Sequence, residues 1–387
     1  MSGVNSLPAP VAVWSGSTEP DAAVVILLHG RGATEASIAS LVPELPAGPA
    51  YVALRAPIAE GNGFAWFANQ GIGRPRADSL AQTIDWFRCW LDHEVKNDRT
   101  VLLAGYSGGT AFAGGVLLAD PDRFAGAALL YGTLPFDAGV PVTPGRLIDV
   151  PILLVQGAFD EVIPPELQER TWNYLHRDSG APVIARREST GHELTGATVS
   201  LLAHWLGSRL SFLAGTTNGA AASAESATWP GLDGPLPARA GERPLVTFAM
   251  PQQQDSQNAP VELQEALFRR VTSWPDVETG PSAISVPGAR AFTLRPGTDG
   301  GPVEAFIVRQ AREFGHIHPS YDGSMHLTLP RLLARQAIAA QWATPHCLAG
   351  VQLSPGMVMI YGPRDEAEFE VVSAIVRASY EFARGAA

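Results

Sequence analysis

The sequence predicts an α/β unit with a mostly parallel sheet, followed by a smaller α+β unit with an antiparallel sheet. Three observations carry that expectation. Short apolar runs alternate with longer helical patterns over the first half. The apolar periodicity then lapses into a stretch rich in Ala, Gly, Ser and Pro. Beyond that stretch, strands are grouped between helices.

In chain order, the first-half runs are Val24 to Leu28, Tyr51 to Arg55, Val101 to Ala104, Gly126 to Tyr131, Ile152 to Gln156 and Val183 to Arg187. They are nearly continuous in Val, Ile, Leu and Ala, as expected of strands covered by helices on both faces. Their alternation with helices implies right-handed βαβ units. Ser79 to Val95 reads as one such helix, because Leu80, Ile84, Phe87 and Leu91 fall on one face. From Phe212 to about Pro244 the composition is that of a linker, and a structureless run of this length inside one domain is unusual. The expected division is 1–213 for the first unit, 214–243 for a flexible linker and 244–387 for the second. In the second unit, the patterns predict a helix over Val261 to Ser273, strands between about Ala283 and Leu329, a helix over Arg331 to Trp342, a strand over Met357 to Tyr361 and a helix over Asp365 to Arg384.

Composition narrows the function. The 387 residues exceed what one core usually serves, and 46% hydrophobic with 17% charged residues is a folded profile. A net charge of -11 without any Lys/Arg cluster argues against a nucleic-acid partner. Cys89 and Cys347 lie in different halves, which excludes a disulfide framework and favours a reducing, cytoplasmic location. Met1 to Gly16 lacks the pattern of a signal peptide, and the most apolar stretch, Ala22 to Leu28, is of strand length and too short to span a membrane. Nothing in the pattern bears on oligomeric state.

Gly105-Tyr106-Ser107-Gly108-Gly109 fits G-x-S-x-G between an expected strand and the helical run Thr110 to Ala119, where the motif forms a tight elbow that exposes its serine. A serine hydroxyl needs a base to take its proton and an acid to orient that base. Asp160 lies just beyond the run Ile152 to Gln156, where parallel sheets place their sites, and His192 lies in the loop after the last run. Asp137, Asp149 and Glu161 are rival acids. His176 and His204 fall within helical patterns and His93 near a helix end, which leaves His192 as the base. An oxyanion hole takes one amide from the residue after the nucleophile, Gly108, and a second from the loop His29 to Thr34, assigned to Arg31; each donor is worth roughly 3 to 4 kcal/mol in the barrier. His29-Gly30 also reads as a tight turn with a buried imidazole.

With these residues, Val24 to about Leu210 resembles the phospholipase/carboxylesterase branch of the α/β hydrolases, relatives of dienelactone hydrolase and the acyl-protein thioesterases. The likeness rests on Leu28-His-Gly-Arg-Gly-Ala33, Trp66-Phe67, Gly105-Tyr-Ser-Gly-Gly109, Phe159-Asp-Glu-Val-Ile-Pro164 and Gly191-His-Glu193. It covers about half the chain and every triad position. It implies the α/β-hydrolase fold and hydrolysis of a small-molecule carboxylic ester or thioester through an acyl-enzyme, with no metal or cofactor. The stretch between Tyr131 and Ile152 is short and Pro-rich, too small for a helical cap, which favours small or exposed esters over long acyl chains. Trp66 and Phe67 line an acyl pocket or belong to the core.

In the second half, Phe314 to Pro330 reads as a hairpin in which His316 faces His326 if His318 pairs with Ser324. Alternation then puts Phe314, His316, His318, Ser324, His326 and Thr328 on one face, with Ile317, Met325, Leu327 and Leu329 on the core side. Three imidazoles match the ligand number of a Zn²⁺-type site with an open position, but the pattern offers no carboxylates to support them. A pocket for an anionic or polar ligand and a structural or merely solvated face stand beside the metal reading. Val261 to Gly385 resembles a small family known as the luciferase domain, on His316-Ile-His-Pro-Ser320, Asp322-Gly-Ser-Met-His-Leu327 and Val358-Met-Ile-Tyr-Gly-Pro-Arg364. That resemblance implies no particular chemistry and no light emission. It leaves open that the C-terminal half carries the principal binding or chemistry while the first half processes its substrate.

Overall fold

The apolar runs of the first half assemble into a seven-stranded sheet in the computed structural model, which describes residues 7–217, 228–247 and 250–386. In chain order its strands are Ala12–Gly16 (β1), Val24–Leu28 (β2), Ala50–Leu54 (β3), Val101–Tyr106 (β4), Gly126–Leu130 (β5), Ile152–Gly157 (β6) and Val183–Glu188 (β7). Their spatial order is β1-β3-β2-β4-β5-β6-β7. All neighbours run parallel except β1, which pairs antiparallel with β3. Every residue of β2, β3, β5 and β6 is buried, so these strands show no alternation in sequence. β1 escapes sequence reading for the opposite reason: it is an edge strand with four of its five residues exposed.

Helices cover the sheet: Ala77–Glu94 (α1), Gly108–Ala119 (α2), Pro165–Asn173 (α3) and Gly196–Thr217 (α4). Residues 109 to 118 of α2 are all buried, so this helix is apolar around its whole girth rather than amphipathic. It is locked by aromatics, with Trp66 stacked on Phe112 at 4.5 Å and Phe87 meeting Phe112 edge-on at 5.6 Å. Residues 131–151 contain no helix, so no cap of the helical kind stands in that connection.

α3 ends in a π-helical turn, Tyr174–Asp178, that buries His176 with Nδ1–H donating to the Trp172 carbonyl (2.8 Å). Burial lowers this imidazole from 6.5 to about 4. Above pH 6.5 the histidine is neutral in both folded and unfolded chains. As pH falls from 6.5 towards 4, only the unfolded chain gains the proton, so stability declines across that window, by about 3 kcal/mol in total. His176→Phe is expected to flatten the pH dependence of chemical denaturation between pH 6.5 and 4. An unchanged slope would contradict it.

The chain divides into units 1–211 and 212–387. The expected flexible linker, 214–243, is corrected in part. Its first residues complete α4, and 218–227 lie outside the described residues. Residues 228–243 are anchored to the second unit. There Trp229 is buried and donates Nε1–H to Gln336 Oε1 (2.8 Å), Arg239 N–H donates to the Ala340 carbonyl (2.9 Å), and Trp342 donates Nε1–H to the Pro237 carbonyl (2.6 Å). Such single anchors among Gly and Pro residues leave no periodic pattern to read.

The second unit has a six-stranded antiparallel sheet. Its elements are Val261–Thr272 (α5), Val277–Pro281 (β8), Arg290–Leu294 (β9), Glu313–Ile317 (β10), Met325–Thr328 (β11), Arg331–Ala339 (α6), Ala343–Pro345 (β12), Met357–Ile360 (β13) and Glu366–Arg384 (α7). The strand order is β8-β9-β10-β11-β13-β12. Within the expected hairpin, His316 pairs with His326 and Ile317 with Met325, and His318 N–H donates to the Ser324 carbonyl (2.9 Å). That is the anticipated register.

Candidate active site

Ser107 sits between β4 and α2 with φ 55° and ψ -116°, a conformation that a non-glycine residue holds only when its surroundings impose it. They do so here. Ser107 N–H donates to the Leu130 carbonyl (2.9 Å). A Cβ on Gly105 would lie 2.4 Å from the Gly109 carbonyl oxygen, and one on Gly109 would lie 2.2 Å from that of Leu28. The glycines of the motif are therefore demanded by close backbone approach. Gly109→Ala is expected to destabilise the first unit by about 1 to 3 kcal/mol despite alanine's better helix propensity, read as an earlier transition in chemical denaturation. An unshifted transition would show that the packing is looser than these distances.

Ser107 Oγ–H donates to His192 Nε2 (2.8 Å), and His192 Nδ1–H donates to Asp160 Oδ2 (2.8 Å). Asp160 follows β6, and its side chain is 1% exposed against 14% for His192. Its Oδ1 accepts the N–H groups of Val162 (2.8 Å) and Ile163 (3.0 Å), so the loop clamps the carboxylate in place. His192 pairs with Asp160 and not with the rival acids; Asp137 is instead held by Arg170 (2.6 Å), and Glu161 is exposed. His176 is buried in its helix, and His93 and His204 are exposed.

Two residues that carry no sequence signal hold the imidazole. Tyr106 donates its hydroxyl to the His192 carbonyl (2.9 Å), and its ring lies 5.5 Å from the imidazole. Tyr131 meets the imidazole edge-on at 6.4 Å and is itself tied to Glu188 Oε2 (2.7 Å). Burial raises the Tyr131 phenol to about 12, which keeps it a hydrogen-bond donor there.

The two residues proposed for an oxyanion hole lie side by side. A Cβ on Gly108 would stand 3.1 Å from Arg31 N, and among the described residues neither amide donates to a protein acceptor. The Arg31 side chain turns away, to Glu60 and to the Phe67 carbonyl (3.1 Å). His29 is fully buried, with Nδ1–H donating to the Gly30 carbonyl (2.7 Å) and Nε2 accepting from Ala56 N–H (3.1 Å), so it shapes the turn and does not reach the serine. Trp66 and Phe67 are both core residues and pocket walls. They line a cavity of about 310 Å³ that also meets Ser107, Gly108, His192 and Ile163. Trp66 is oriented by its Nε1–H bond to the His29 carbonyl (2.8 Å).

Residues 11–208, half of the chain, match the family model described as phospholipase/carboxylesterase. The chain belongs to that family. Its first unit is also similar to solved structures: a carboxylesterase of Mesorhizobium loti is 27% identical with a TM-score of 0.43, over 48% of this chain and 88% of that one. The Bacillus cereus carboxylesterase is 20% identical with a TM-score of 0.46, over 51% and 92%. Residues 311–379 match the model described as luciferase domain. Proteins named luciferase from Armillaria ostoyae and Neonothopanus nambi are 32% and 31% identical over 162 and 159 residues, 37% of this chain. The chain spans about 59% of the length of these curated relatives.

In the luciferase-like unit, His316, His318 and His326 come together, but not on a solvated face: all three are at most 5% exposed. The expectation that no carboxylate supports them is also corrected. Glu313 Oε1 accepts from His316 Nδ1–H (2.8 Å), and Asp322 Oδ2 accepts from His318 Nδ1–H (2.6 Å). Strand parity hides Glu313, because a bulge between β9 and β10 shifts the register so that Glu313 joins the His316 side. For the same reason Phe314, expected with the histidines, stacks on Phe292 (6.2 Å) and meets Tyr380 at a tilt (6.1 Å) on the other face. Burial holds His316 below its ordinary value and His326 well below it. Burial opposes ionisation of Glu313, but hydrogen bonds from His316, Ser282 and Ala283 prevail and hold its carboxyl low.

Proposed function

We propose that the chain is a serine hydrolase that cleaves carboxylic esters or thioesters of small or exposed substrates through an acyl-enzyme on Ser107. The observation that carries this reading is the unbroken hydrogen-bond chain from Ser107 Oγ through His192 to Asp160, opening on a cavity beside two undonated amides. Ser107 Oγ attacks the carbonyl carbon as His192 Nε2 takes its proton. The oxyanion accepts hydrogen bonds from the amides of Gly108 and Arg31, which stand ready because no protein acceptor among the described residues claims them. His192 returns the proton to the departing alcohol or thiol, and a water then repeats the sequence on the acyl-enzyme. Asp160 holds the imidazole in the tautomer whose Nε2 accepts.

The cavity of about 310 Å³ lies at the small end of ligand sites and supports short acyl groups. Membership of the phospholipase/carboxylesterase family supports the hydrolase class. The reading includes a reducing, cytoplasmic setting, supported by two unpaired cysteines, Cys89 exposed and Cys347 buried. Among the described residues, no helix is long and apolar enough to cross a membrane. A panel of p-nitrophenyl esters and matching thioesters tests the reading: turnover is expected to fall as the acyl chain lengthens from acetate to laurate. Failure to turn over any member, or a rise towards laurate, would reject it.

A second reading makes the C-terminal unit the principal ligand site and the hydrolase its supplier. The buried histidine cluster favours it. In the full chain, Ser107→Ala would then spare ligand binding at the histidines while ending ester turnover.

A further inference from the structure

The three buried histidines of the second unit differ from an ordinary polar core in how their protons are placed. His316 gives its Nδ1–H to Glu313, and His318 gives its Nδ1–H to Asp322. The third, His326, faces Gln252 Oε1 with its Nε2 (3.2 Å). The Gln252 amide is oriented by its own Nε2–H bond to the Pro345 carbonyl (3.2 Å), so the atom facing His326 is an acceptor and His326 Nε2 must carry the proton. Each ring has thus committed its one N–H outward. The nitrogens that remain, Nε2 of His316, Nε2 of His318 and Nδ1 of His326, present lone pairs.

Two of these lone-pair nitrogens lie 3.2 Å apart, His316 Nε2 against His326 Nδ1. With both outward protons assigned, no hydrogen stands between them, and an approach this close is repulsive unless a cation is shared. The separation is close to the roughly 3.3 Å between two imidazole nitrogens on a tetrahedral ion at about 2.0 to 2.1 Å. One ligand nitrogen from each of the three rings falls within 4.8 Å of the others.

Charge points the same way. Glu313 and Asp322 are both about 1% exposed at the side chain, and among the described residues their only ion-pair partners are these imidazoles. Two buried carboxylates beside neutral rings leave a formal deficit that one divalent ion fills. Both carboxylates are tied down further, Glu313 by Ser282 Oγ–H (2.7 Å) and Ala283 N–H (3.0 Å), and Asp322 Oδ1 by Ser324 N–H (3.0 Å). His346, whose ring lies 5.1 Å from that of His326, accepts Leu348 N–H on Nδ1 (3.1 Å), so its Nε2 carries the proton and is a donor rather than a fourth ligand.

We infer that His316 Nε2, His318 Nε2 and His326 Nδ1 bind one divalent first-row transition metal ion, with Glu313, Asp322 and Gln252 orienting the rings. Three neutral imidazoles without a thiolate suit zinc, iron, nickel or copper. Three protein ligands leave a position for water or an exogenous ligand.

The test uses the full-length protein, stripped with a chelator and titrated with Co²⁺, whose visible absorption reports nitrogen coordination. Uptake of one ion per chain is expected, with X-ray absorption on the wild-type complex showing three imidazoles at about 2.0 to 2.1 Å. Ser107→Ala should bind equally. His318→Ala and His326→Ala should lose uptake, and Glu313→Gln should bind about 10- to 100-fold more weakly. The wild-type spectrum stands even if a histidine variant fails to fold. No uptake by the wild-type chain at tenfold excess, fewer than three imidazoles in its spectrum, or equal uptake by the folded histidine variants would overturn the inference.

Discussion

Ser107→Ala is expected to lower turnover of a short p-nitrophenyl ester by about 10⁵- to 10⁶-fold and to leave the denaturation profile unchanged. The size of the effect follows from the proposed covalent step. Without Oγ the acyl-enzyme cannot form, and only the two amides and the positioned imidazole remain to assist water. The fold should survive because what holds residue 107 is backbone: its N–H bond to Leu130 and the close approach of the flanking glycines. Alanine meets the same strain at φ 55° that serine already bears. Steady-state kinetics and a denaturation curve on the same preparation check both halves, and retention of more than about a hundredth of the activity would count against a nucleophilic serine.

Asp160→Asn should cost about 10⁴-fold in turnover, again with little change in stability. The Asn Oδ1 can keep accepting from Val162 and Ile163, so the loop after β6 retains its clamp. The other terminus becomes an NH₂ group facing His192 Nδ1, where the carboxylate had accepted a hydrogen bond. Nδ1 must then become the acceptor, and the ring proton moves to Nε2. In that tautomer the imidazole cannot take the Ser107 proton. A loss below tenfold in kcat/KM would mean that the carboxylate serves only to hold the loop.

Both substitutions rest on residues legible in the sequence. The elbow is readable because glycine spacing and a flanking strand and helix encode a backbone constraint, and Asp160 and His192 are readable because they fall just beyond β6 and β7. What escapes is long-range or register-dependent. Tyr106 occupies a free position of G-x-S-x-G, and its bond to the His192 carbonyl spans 86 residues. In the second unit, the hairpin register follows from alternation, but the bulge at β10 exchanges Glu313 for Phe314 on the histidine side. Gln252 meets His326 across 74 residues. The edge strand β1 lacks a pattern because it buries too little to need one.

The central claim concerns one oxygen atom, and a fluorophosphonate probe addresses it directly. Intact-mass analysis of the full-length protein should show one adduct per chain, carried by the peptide that contains Ser107, with no adduct on Ser107→Ala and slow labelling of Asp160→Asn. Labelling of Ser107→Ala at the wild-type rate, or a wild-type protein that hydrolyses esters yet takes up no probe, would contradict the account.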